Sequence, residues 1–74
     1  VYERCLLSLD YHDHHALTKR LEEMALIESI LYQEKVLVKL SIESTHWISF
    51  QQEIEEKTSA RANVQWVETY SAWQ

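Results

Sequence analysis

The chain has 74 residues and a net charge of −5, from seven Lys and Arg against twelve Asp and Glu, so it is read as one small domain, or a fragment or subunit of a larger assembly, that repels phosphate backbones and anionic lipid. It contains no glycine, no proline and one cysteine, Cys5, which excludes an internal disulfide, a glycine-rich phosphate loop and a nucleophile elbow. No apolar run reaches the ~18 residues that a membrane-spanning helix needs, while three tryptophans, four tyrosines, one phenylalanine and 46 % apolar residues suffice for a packed core.

Tight hairpins commonly use residues with φ above zero, so a chain without glycine is more easily built from helices. Asn63 is the one residue expected to enter the left-handed region readily. In residues 1–9, Tyr2, Cys5, Leu6 and Leu9 fall at helical spacing, but Cys5, Leu7 and Leu9 alternate as in a strand, and both readings stay open. Ser8 and Asp10 mark a break. From Asp13 to Leu31, Leu17, Leu21, Met24, Ile27 or Glu28, and Leu31 recur at three and four residues, which predicts an amphipathic helix capped by Asp13 or Asp10. Leu26 and Ile30 widen its stripe, so it should contact two neighbours.

Val36 to Glu43 alternates apolar and polar residues like a strand. Taken as a continuation of the preceding helix, it keeps Val38 and Ile42 on the same face and needs no turn at Gln33-Glu34-Lys35, where none is signalled. The helix is the expectation and the strand its alternative. Ser44-Thr45 is the best internal break. Trp47, Phe50 and Ile54 predict a second helix. Residues 58–63 form a loop or a weak continuation, and Val64, Val67 and Tyr70, with Trp66 and Trp73 one position over, match a last helical turn or two, although Val64, Trp66 and Glu68 would also suit a short strand.

The expected fold is therefore all-α: a helical hairpin or three-helix unit, stabilised by oligomerisation because so small a core has little margin. The alternative is α+β, with a strand at about 36–43 followed by two helices. That order, strand Val36–Glu43, helix Thr45–Lys57 and helix Val64–Trp73, resembles the ribbon-helix-helix DNA-binding dimers. The resemblance implies a paired ribbon exposing Lys39, Ser41 and Glu43; such a ribbon needs basic or amide groups, and the inter-helix turn of those proteins usually holds a glycine that this chain lacks.

Two groups could bind a metal. His12 and His15 share a helix face and could chelate an ion completed by His46 or by a carboxylate of another chain, against the plainer reading of a solvated helix start. Glu43 and His46 form a Glu-x-x-His, the spacing used by di-iron bundles, against a surface Glu beside a partly buried His. Cys5 reads as an inert core thiol, and Glu22-Glu23 and Glu55-Glu56 as solvated faces. Trp47, Trp66 and Trp73, with Phe50, Tyr70, Leu26, Ile30 and Leu37, are the candidate interface residues, since tryptophan is enriched at binding hot spots. The expectation is a non-enzymatic helical interaction module without cofactor, a structural subunit, adaptor or inhibitor, whose partner is itself or a larger protein. Nucleic acid is disfavoured, no membrane is involved, and the lone cysteine fits an intracellular, cytoplasmic setting.

Overall fold

A computed structural model describes residues 1–71; Trp73, one of the candidate interface residues, lies outside them. Among the described residues the chain forms β1 (Tyr2–Leu9), α1 (Tyr11–Met24), β2 (Leu26–Tyr32), β3 (Val36–Glu43), α2 (Trp47–Thr58) and β4 (Asn63–Tyr70), with a short 3-10 turn at Ser44–His46 before α2. The strands lie in the order β2-β3-β1-β4, each antiparallel to its neighbours. Helix α1 joins β1 to β2 past β3, and α2 joins β3 to β4 past β1. This is the split β-α-β arrangement of the ferredoxin-like topology.

The two inner strands decide the layering. Cys5, Leu7 and Leu9 of β1 stand opposite Leu40, Val38 and Val36 of β3, and all six are fully buried. Because strand side chains alternate between faces, this set defines one apolar face, on which Leu17 and Leu21 of α1 and Phe50 and Ile54 of α2 close the core. A bidentate ion pair from Arg20 of α1 to Glu53 of α2, at 2.7 and 3.0 Å, ties the helices together. Among the described residues, no helix lies on the opposite face of the sheet.

The protein is thus α+β, not all-α, and neither a helical hairpin nor a three-helix bundle. The helix expected over Asp13–Leu31 ends at Met24, and Leu26–Tyr32 is an edge strand; the apolar positions that extended the helical stripe belong to the two faces of β2. The turn that separates β2 from β3 does fall at Gln33-Glu34-Lys35, closed by Gln33 N–H donating to the Lys35 carbonyl at 3.1 Å, and it uses no positive φ, so the glycine argument against a hairpin did not apply. Val36–Glu43 is a strand and not a helix. One α-helix follows it, not two, because residues 63–70 pair with β1. Since β3 is hydrogen-bonded on both edges, between β2 and β1, it has no free edge to form a ribbon with a second chain, and the strand-helix-helix order is not found.

Asp10 occupies the N-cap position of α1, without a side-chain capping bond. Asp13 is instead buried, and its carboxylate accepts from Arg61 Nη2 at 2.9 Å. That pair holds the loop after α2 against the start of α1. Among the described residues, positive φ occurs at Ser59 (52°) and Ala60 (63°), not at Asn63, which begins β4. A residue with a Cβ is disfavoured there by about 1–2 kcal/mol. Replacing Ala60 by Gly is therefore expected to stabilise the protein by about 0.5–1 kcal/mol, read as a higher urea midpoint at unchanged slope; a lower midpoint would show that the loop is not held in the left-handed region.

Candidate functional site

The helix-free face is built by the same alternation that builds the core. Tyr2, Arg4, Leu6 and Ser8 of β1 point away from the helices, opposite Glu43, Ser41, Lys39 and Leu37 of β3. On β2, Leu26 stands opposite Ser41 and Leu31 opposite Leu37; on β4, Glu68 stands opposite Arg4 and Tyr70 opposite Tyr2. Each edge strand carries one irregularity, between Ile27 and Ser29 in β2 and at Val67, where β4 shifts against Arg4/Cys5. An extra residue of this kind re-aims neighbouring side chains, and here Glu28 reaches the open face.

One half of that face is polar and internally satisfied. Arg4 Nε donates to Glu28 Oε2 at 2.9 Å, its Nη1 donates to Glu68, and its guanidinium lies 4.4 Å over the Tyr70 ring. Tyr70 stacks on Tyr2 with ring centres 5.7 Å apart, and its hydroxyl donates to Ser41 Oγ at 2.8 Å, which in turn donates to Glu28 Oε2 at 2.8 Å. The Ser41 bond, followed by Arg4, holds the Glu28 carboxyl below its ordinary value, and Glu28, followed by Glu68, raises Arg4. The other half sets an apolar patch among Ser8, Ser29, Lys39 and Gln65. Leu31 and Leu37 face each other across β2 and β3, Leu6 is diagonal to Leu37, and Leu31 is 54 % exposed.

Of the candidate interface residues, Leu26, Leu37 and Tyr70 lie on this open face. Phe50 is in the core and Trp47 packs on it at 6.0 Å between ring centres, while Ile30 packs partly buried against the core. Trp66 stands opposite Cys5 on the helix side of the edge strand, half exposed, and its Nε1 donates to Glu3 Oε1 at 2.9 Å. Glu3 also accepts from Ser44 and Thr69, both at 2.6 Å, and these bonds, Ser44 first, lower its carboxyl. The cluster fastens β4 and the turn before α2 to β1. Leu6, Leu31, Arg4 and Glu28 were not singled out from sequence, because the face they share exists only once the strands are paired.

His12 and His15 are exposed on α1, and Glu43 approaches His46 at 3.6 Å on the surface. No group of three or more His, Cys, Asp or Glu that could hold a metal ion occurs among the described residues. Burial pushes the Cys5 thiol up to about 12, which leaves it protonated and unreactive. Between the helices, a cleft of about 520 Å³ is lined by Met24, Ala25, Ile42 and Phe50, and the Arg20–Glu53 pair at its rim satisfies itself. No helix among the described residues is long and apolar enough to cross a membrane. No protein-family model matches the chain, and no curated protein matches it.

Glu3 and Glu28 sit below the ordinary carboxyl value of 4.5 in the folded protein, so they bind fewer protons folded than unfolded. Their contribution is present above about pH 4.5 and is lost as pH falls through the lowered folded values. Thermal melting followed at decreasing pH should show the melting temperature falling below about pH 4.5, and Glu28→Gln should lower it at neutral pH while making the acid decline shallower. An unchanged acid decline in Glu28→Gln would remove Glu28 from this account.

Proposed function

We propose that this chain is a non-enzymatic protein–protein interaction module, a subunit, adaptor or inhibitor, and that it docks through the helix-free face of its sheet. One observation carries the reading: the helices cover one face of the sheet, and the other exposes Leu31 beside the part-buried Leu6 and Leu37, with exposed Leu26 at the far end of β2 opposite Ser41. A sheet with one uncovered, partly apolar face is stable in water only when polar groups share that face, and here the Arg4–Glu28–Ser41–Tyr70 network supplies them. Leucines next to a rigid, hydrogen-bonded aromatic and arginine cluster have the make-up of an interface, in which a few anchors carry the energy and polar groups fix orientation.

The same network supports a non-enzymatic role, since its charged groups are committed to one another and Cys5 is protonated in the core. A free buried thiol also fits an intracellular, cytoplasmic setting. The ferredoxin-like topology adds nothing to this choice, because one fold hosts many functions.

A photo-reactive benzoylphenylalanine in place of Leu37 is expected to give covalent protein adducts in cells that produce the chain, whether with itself or with another protein. The same group in place of Gln52, exposed on α2, should give none. Equal yields at the two positions, or no adduct at Leu37, would remove the open face as the docking surface.

A further inference from the structure

Building on the docking role of the open face, we propose that its occupant is a second copy of this chain, in a two-fold dimer that stacks the two open faces. Three observations select this occupant. The first is the disposition of the edges. An exposed edge strand is the usual route to a continuous intermolecular sheet, and a bulge blunts it. Both edges, β2 at Ile27/Ser29 and β4 against Arg4/Cys5, carry such an irregularity, so pairing edge to edge is disfavoured and stacking face to face is left.

The second is charge. The open face carries Arg4 and Lys39 with Glu28, Glu43 and Glu68, both signs interspersed. A copy of itself presents both signs in return, whereas a polyanion such as nucleic acid would meet three carboxylates. The third is extent and shape. Four strands about 4.8 Å apart and eight residues of about 3.3 Å each span roughly 500 Å². Two such faces bury at most about 1,000 Å² when fully overlapped, the lower bound for a specific interface. In an isologous contact a patch lying on the axis meets itself, so an axis passing by Leu37 brings Leu6, Leu31 and Leu37 of both copies together. The result is a helix–sheet–sheet–helix sandwich at the weak, transient end of interface size, with a dissociation constant on the order of micromolar.

The test is sedimentation equilibrium of the purified chain from about 1 to 500 µM, concentrations that bracket a micromolar constant. The weight-average mass is expected to rise from 8.9 kDa towards twice that value. Leu31→Glu, at a position already exposed and so without consequence for the core, is expected to hold it at 8.9 kDa throughout, and Gln52→Glu on α2 to leave the rise unchanged. A rise that survives both Leu31→Glu and Leu37→Glu would place the contact elsewhere and overturn the proposal. A monomer at all concentrations also overturns it; if Leu37 still photo-crosslinks to another protein, the docking role of the face stands with a different occupant, and if it crosslinks to nothing, both fall.

Discussion

Everything in this fold depends on the match between two eight-residue strands at the centre of the sheet. Cys5, Leu7 and Leu9 against Leu40, Val38 and Val36 remove six side chains from water on one face. The register that does this also fixes what the opposite face contains. A slip of one residue would expose that set and bury Arg4, Lys39 and Ser8, which makes the register a strong constraint in so small a protein. Helices α1 and α2 then have one place to put Leu17, Leu21, Phe50 and Ile54, and the sheet keeps one face uncovered.

The uncovered face is both solvated and partly apolar. It must remain compatible with water in a single chain, which the Arg4–Glu28–Glu68 charges and the Ser41–Tyr70 hydrogen bonds accomplish, and Tyr70 stacked on Tyr2 covers apolar area beneath a polar rim. Exposed ion pairs of this kind contribute little stability individually; their larger effect is to hold the aromatic and arginine side chains in fixed positions. Such pre-ordering lowers the entropic cost of association. The leucines beside the network are then the groups with most to gain from being covered.

Much of the helical content was legible in the sequence, and for sound reasons. Leu17 and Leu21, and Trp47, Phe50 and Ile54, keep a period near 3.6 because each set faces a single sheet. The strand alternation of Val36–Glu43 is legible in the sequence, but nothing in it signals the turn at Gln33–Lys35, which needs no positive φ. The edge strands were illegible for a more specific reason. In β2 the irregularity at Glu28 lets Ile27 and Ile30, three residues apart, both face the core, and in β4 the shift at Val67 puts Trp66 and Thr69, also three apart, on one side. A bulged strand thus imitates the spacing of a helix over one turn, and residues 26–32 read as the continuation of α1. The open face was hidden with them. Leu26, Leu37 and Tyr70 are candidate interface residues from their helical spacing, but Leu6 and Leu31 join them only through cross-strand register.

An isotope-filtered nuclear Overhauser experiment tests directly whether this face meets its own copy. A sample mixing carbon-13-labelled and unlabelled chain is expected to show intermolecular contacts among the methyl groups of Leu6, Leu31 and Leu37, and from Leu37 to the same residue of the other copy. Intermolecular contacts arising only from the helices, or none in a concentrated sample, would contradict it.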